Sequence, residues 1–272
     1  MKNIHLLIVD PQNDFCDPQG SLYIPGADDD MLQLASFIHR WKDQISQIHV
    51  TLDSHRRLDI AHPLWWQDAH GKSPQPFTLI SPEDIQAGRW NAVVPAFQER
   101  TAAYIDSLHA KGRYPHTIWP EHCLLGSWGH NIFSELLKAI QAWEKRRIFV
   151  NYVIKGMNPW TEHFSAVRAE VPDPEDSSTA TNNELIESLS KADQILVAGE
   201  ASTHCVMSTV EDLSDYYAEK IVWLSDATSP VPNPPNTMLF SDRLNSSLVR
   251  LKNLGMCVEK TVNFNQGGIF NK

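Results

Sequence analysis

Cysteine is scarce in this chain: four (Cys16, Cys123, Cys205 and Cys257) stand among 272 residues. So few thiols, so widely spaced, exclude a disulfide framework. Long apolar runs are also missing. None approaches the ~18 residues of a membrane span, and the run after Met1 is too short for a secretory signal. Cationic charge is in deficit, with 23 Lys and Arg against 33 Asp and Glu and a formal net charge of −10. That removes the electrostatic basis for binding nucleic acid or an anionic membrane. Internal repeats and low-complexity tracts are absent as well. A cytoplasmic, thiol-reducing setting is the expectation.

What is present reads as an α/β protein. Apolar segments at residues 4–9, 48–52, 146–154, 194–198, 221–224 and 256–259 have strand length and strand composition. Helical spacing covers residues 28–44, 95–111, 131–145, 164–170, 183–192 and 241–254, and a further helix starts at about His204. Alternation of the two predicts a three-layer α-β-α fold around a doubly wound, mostly parallel six-stranded sheet. Residues 1–272 read as a single domain. Within it, residues 63–116 lose the rhythm and read as an elaboration over the sheet without a strand set of its own. The acids Asp28, Asp29 and Asp30 read as solvated charges at a helix start. Residues 263–272 read as a loose tail. Most of the nine tryptophans are expected in core and interfaces, with some lining a pocket.

The chemistry gathers at strand ends. Asp10 closes the first strand, Asp53-Ser-His55 the second and Lys155 the third, and Cys205 opens the helix after the fourth. In a doubly wound sheet these C-terminal ends share one edge, where ligands bind. Asp53 and His55, two apart on extended chain, can converge on one point, and an oxygen with an imidazole nitrogen suits zinc, iron or manganese. His122 is a candidate third ligand. A lysine ending an apolar strand either reaches the surface or is paired inside. Cys205 reads either as a buried structural thiol or as a nucleophile whose thiolate the helix N-terminus favours. Together a carboxylate, an ammonium and a thiol can run acyl transfer: base, charge partner and nucleophile. Backbone N–H groups of the turn from Gly199 to Cys205 would stabilise the oxyanion.

Five motifs stand in order: Val9-Asp-Pro-Gln-Asn-Asp-Phe15, Asp53-Ser-His55, Trp119-Pro-Glu-His-Cys123, Lys155-Gly156 and Ala201-Ser-Thr-His-Cys205. With them the sequence resembles the nicotinamidases of the isochorismatase-like cysteine hydrolases, from about residue 4 to residue 260. The resemblance implies that fold, with residues 63–116 as an insertion unusual for the family, and an Asp10–Lys155–Cys205 triad. It implies one divalent metal per subunit, zinc first and iron or manganese also compatible, on Asp53, His55 and His122, with His62 as an additional ligand in some members. It implies an oxyanion hole from the N–H groups of Ala201 and Cys205, a cis bond between Glu200 and Ala201, and Phe15 and Trp119 flanking the substrate ring. His204 is assigned a structural role. Ser54 departs from the family, which commonly has tryptophan there. The implied function is hydrolysis of nicotinamide to nicotinic acid and ammonia, in pyridine-nucleotide salvage, by a homo-oligomer whose other partner is a small amide. A related amidase or carbamoyl hydrolase on the same triad is the alternative, and a catalytically silent binding protein of this fold is a third reading. The Trp-Pro-x-His-Cys element favours the first, and the three triad residues together disfavour the last.

Overall fold

A near-continuous apolar run needs cover on both faces, and residues Ile4–Val9 have it: all six, His5 among them, are buried. The computed structural model of the chain describes residues 2–233 and 238–265. Its main sheet consists of β1 (Ile4–Val9), β2 (Ile45–Asp53), β3 (Asn151–Lys155), β4 (Gln194–Gly199), β5 (Ile221–Leu224) and β6 (Cys257–Glu259). The strands lie in the order β6-β5-β4-β1-β2-β3, and each adjacent pair is parallel. The chain winds outward from β1 to β3, then returns beside β1 as β4 and winds the other way. The reversal between β1 and β4 is the switch point at which open α/β sheets form a ligand crevice.

The longer helices are α1 (Ala27–Trp41), α2 (Gln98–Lys111), α3 (Ser134–Glu144), α4 (Asn183–Ser190), α5 (Cys205–Tyr217) and α6 (Leu239–Asn253). Helix α2 packs within segment 63–116, and the other five accompany the sheet. Helix α1 packs against α3, and α5 against α6. The core they enclose joins Leu6, Ile8, Leu34, Ile38, Trp143, Leu196, Val210 and Leu251. No helix among the described residues is long and apolar enough to cross a membrane.

The structure corrects the sequence reading in five places. Residues 164–170 are not helical. Their amides go to distant partners: Ala166 N–H to Thr209 Oγ1, Ala169 N–H to the Thr179 carbonyl, and Glu170 N–H to the Glu162 carbonyl. The third strand starts at Asn151, because Arg147 takes a left-handed turn (φ 65°) and Phe149 is 90% exposed. Segment 63–116 has short ladders after all, Trp66–Gln67 with Asn91–Ala92 and Leu79–Ile80 with His116–Thr117. Two-residue strands leave no alternation to detect. The segment also has its own apolar cluster, with Trp65, Trp66, Ile105 and Leu108 at its centre. Asp30 is only partly exposed and accepts a hydrogen bond from the Ser229 hydroxyl, so it is not a solvated charge. Finally, the tail begins docked: Phe264 is buried against Phe37 and Trp41, with ring centroids at 5.2 and 5.0 Å. The rest of the expected loose tail, residues 266–272, lies outside the described residues.

Trp66 is fully buried in the second cluster, and its indole N–H donates to the Ile60 carbonyl at 2.7 Å. Trp66→Ala is expected to lower unfolding free energy by about 3–5 kcal/mol, measured by urea denaturation.

Candidate active site

The sheet register assembles the site. Val9 pairs with Gly199, so Asp10 and the turn after β4 leave the switch point together. Gly199 is required there: its φ is 108°, and a Cβ would stand 2.0 Å from the Val9 carbonyl oxygen. Two strands across, Asp53 pairs with Lys155. The next residue, Gly156, gives Asp53 its space, since a Cβ there would come within 2.7 Å of Oδ1.

Lys155 is 2% exposed, so it does not reach the surface. Its ammonium lies 2.8 Å from Asp10 Oδ2 and 3.1 Å from Asp53 Oδ1, donates to the His163 carbonyl at 2.9 Å, and is 3.7 Å from Cys205 Sγ. Asp10 has φ 44°, sparsely populated for a residue with a side chain. Thr51 holds it there, accepting from Asp10 N–H at 2.9 Å and donating its hydroxyl to Oδ1 at 2.5 Å. Gln12 clamps Asp53 through both of that residue's backbone groups, each at 2.7 Å.

Electrostatics follow from this packing. Burial acts to lower the Lys155 pKa, but Asp10, Asp53 and Cys205 outweigh it and hold the ammonium well above its ordinary range. Burial acts to raise Asp53, but His55 and Lys155 outweigh it and hold that carboxyl well below the usual range. Burial raises Asp10, with Lys155 opposing. Burial also pushes the Cys205 thiol well up; Lys155 opposes, while Asp10 and Asp53 add to the rise.

A second cluster adjoins the first. One donor atom each from Asp53, His55 and His122 lies within 4.8 Å of the others, the one such set among the described residues. His55 Nε2 is 3.0 Å and His122 Nε2 3.5 Å from Asp53 Oδ2. The opposite ring nitrogens have acceptors: His55 Nδ1 meets Asp59 Oδ2 at 3.0 Å and His122 Nδ1 the Pro120 carbonyl at 2.8 Å. With each Nδ1 so engaged, Nε2 is the ring atom turned toward Asp53 Oδ2. Asp53 and Asp59 outweigh burial and hold the His55 imidazolium well above its ordinary range, a proton that a bound cation would displace. This donor set fits a divalent cation. His62 packs its ring 5.1 Å from His55 and 5.2 Å from His122, outside that set, and burial pushes its pKa down to about 2.

A cavity opens over both clusters, lined by Asp53, His122 and Cys205 with Phe15 and Trp119 as its aromatic walls. Ala201 and Cys205 bound it at the turn, and the Glu200–Ala201 bond is cis. Cys205 starts α5, so its N–H has no carbonyl within the helix. His204 lines the cavity too, stacked on Tyr114 at 5.0 Å. All the residues read from the sequence as site candidates are therefore in one region. Sequence reasoning missed Thr51, Asp59 and Glu162. Thr51 stands two residues before Asp53 on the same strand face, a detectable signal. Asp59 follows His55 by four residues, and only the histidine's orientation gives it meaning. Glu162 accepts the Trp119 indole N–H at 3.1 Å, and burial pushes its pKa up to about 8; nothing in its irregular segment marks it.

No protein-family model matches the chain. In sequence it is similar to the nicotinamidase of Saccharomyces cerevisiae, 22% identical over 233 residues that make up 86% of this chain and 91% of that one. The solved yeast nicotinamidase structure aligns with a TM-score of 0.62 and 20% identity, covering 94% of this chain and 98% of that one. An Acinetobacter baumanii nicotinamidase/pyrazinamidase gives 0.63 at 17% identity over 97% and 99%. The Pyrococcus horikoshii pyrazinamidase in complex with zinc gives 0.57 at 17% identity over 95% and 99%. The chain is nicotinamidase-like in sequence and has the fold of these proteins.

Removing the ammonium strands two buried carboxyls. Lys155→Met is expected to destabilise the protein by about 3–5 kcal/mol at neutral pH, read by denaturant unfolding.

Proposed function

We propose that this chain is a metal-containing cysteine amidohydrolase that converts nicotinamide and water to nicotinic acid and ammonia. The observation that carries the reading is the Lys155 ammonium, 2.8 Å from Asp10 and 3.7 Å from Cys205 Sγ, where Cys205, Asp53 and His122 line one cavity and His55 completes the donor set.

On this reading Asp10 accepts the thiol proton as Sγ bonds to the amide carbon. The carbonyl electrons move onto oxygen, which the N–H groups of Ala201 and Cys205 receive. Asp10 then delivers its proton to nitrogen, the C–N bond breaks and ammonia leaves, with the acyl group held as a thioester on Cys205. Asp10 next takes a proton from water while the water oxygen adds to the thioester carbon. The C–S bond breaks, the thiol regains its proton and nicotinic acid is released. Lys155 stays protonated throughout and balances the negative charge that passes between Asp10 and Cys205. Phe15 and Trp119 sandwich the ring, and Glu162 fixes the Trp119 plane through the indole N–H. Asp53, His55 and His122 would hold a divalent cation, which when bound would supply a Lewis acid for the pyridine nitrogen; the zinc in the pyrazinamidase neighbour and the ring-nitrogen geometry here support that assignment.

Purified protein is expected to release ammonia from nicotinamide, with Cys205→Ala lowering turnover at least ~10³-fold. No turnover by zinc-loaded wild type, or full turnover by Cys205→Ala, would sink the reading. Asp59→Asn is expected to weaken zinc affinity about 10–100-fold, measured by competition with a chromophoric chelator.

A further inference from the structure

Glu200 is fully buried in the turn that presents Ala201 and Cys205. Its N–H donates to the Val9 carbonyl at 2.8 Å, and its Oε2 accepts from Ser229 N–H at 3.1 Å. Its Oε1 faces no donor among the described residues. The Asp30 carboxyl, from the first turn of α1, adjoins it and accepts the Ser229 hydroxyl at 2.5 Å. Ser229 also accepts Ser202 N–H on its carbonyl at 2.9 Å. Ser229 thus ties both carboxyls to the backbone that carries the nucleophile.

An ionised Glu200 would leave Oε1 buried without a protein donor, beside a second negative charge. A proton on Oε1 removes both problems at once, because the acceptor becomes a donor toward Asp30. Asp30 is the member that keeps the charge, having the helix N-terminus and the Ser229 hydroxyl to stabilise it. We propose that Glu200 is a positioning residue for the hydrolysis, carrying the shared proton of a Glu200–Asp30 carboxyl pair that anchors the turn at residues 199–205. The inference rests on the amidohydrolase reading for its catalytic half and on packing alone for its proton.

Groups facing the pair are Asp28 and Asp29 from α1, Cys16 from the short helix Asn13–Cys16, and Asp226 from the loop after β5. Each is an acid or a thiol, so none favours a charged Glu200. Burial first, and Asp30 second, hold its carboxyl well above the ordinary range. A folded-state value above the unfolded one means the native protein binds more protons. The associated stability is present at low pH and is lost as pH rises from the unfolded value toward the folded one.

The test compares wild type with Glu200→Gln, whose amide N–H₂ replaces the O–H donor and cannot ionise. Between pH 5 and 7 the wild-type folding constant, relative to the variant, is expected to fall about tenfold per pH unit, measured by urea unfolding. Parallel stability profiles would overturn the proposal. With nicotinamide, Glu200→Ala is expected to lower kcat at least ~10-fold with KM changed less than ~3-fold, and Glu200→Gln to restore kcat. Undiminished kcat in Glu200→Ala, or no rescue by Gln, would overturn the positioning role. Should Glu200→Ala not fold, the wild-type and Gln profiles still decide the proton. Absence of nicotinamide turnover in wild type overturns the functional reading instead, and the stability comparison, which uses no substrate, stands apart from it.

Discussion

A buried ammonium with three oxygen partners is the constraint on which the site depends. Lys155 brings together Asp10 from the end of β1, Asp53 from the end of β2 and the His163 carbonyl from the irregular segment beyond β3. None of these groups is at ease alone, since a buried lysine or aspartate without a counter-charge is strongly disfavoured. Their mutual pairing fixes where three separate chain segments end. It also leaves the ammonium 3.7 Å from Cys205 Sγ and thereby ties the fourth segment, the turn after β4, to the same point. The strand order makes this possible, because only at the switch between β1 and β4 do a strand end and a helix start open side by side.

That pairing also decides the resting state of the thiol. A cysteine at the first position of a helix is expected to lean toward thiolate. Here burial, Asp10 and Asp53 work the other way, and the thiol is held well above its ordinary range although Lys155 opposes them. One ammonium already shared by two carboxyls cannot also fully support a thiolate. On the proposed mechanism, formation of the nucleophile is a proton transfer to Asp10, whose own pKa is raised by burial. The thiol thus rests neutral, and on that mechanism it becomes nucleophilic only as Asp10 takes up its proton.

Much of this was legible in the sequence. Strand runs such as Ile4–Val9, interrupted only by His5, and residues 195–199 of β4 are nearly all apolar because they are covered on both faces, and that pattern predicts a parallel sheet. Asp10, Asp53 and Lys155 stand out because charge at the end of an apolar run needs a reason. Residues 164–170 show where this reasoning stops: helical spacing is present, but long-range partners such as Thr209 and Thr179 capture the amides. Glu162 and the ladders of segment 63–116 were equally hidden, since their roles depend on contacts far away in sequence, and Asp59, four residues after His55, has a role only through that ring's orientation. Glu200 was the hardest to see, because a glutamate in a turn is ordinarily a solvated one.

Two neighbouring buried carboxyl pairs meet the same electrostatic difficulty by different means. Between Asp10 and Asp53 a permanent cation is inserted, which holds Asp53 charged and opposes the rise that burial gives Asp10. Between Asp30 and Glu200 no cation is available among the facing groups, and one proton must serve. The difference suits their positions. On the proposed mechanism Asp10 exchanges a proton with sulfur, which a neighbouring ammonium permits without a large change in local charge. Glu200 has only to hold the chain still behind Ala201 and Cys205, and a proton that never leaves does so with the shortest side-chain reach. The cation-centred pair is thus placed where charge moves, and the proton-centred pair where the backbone must not.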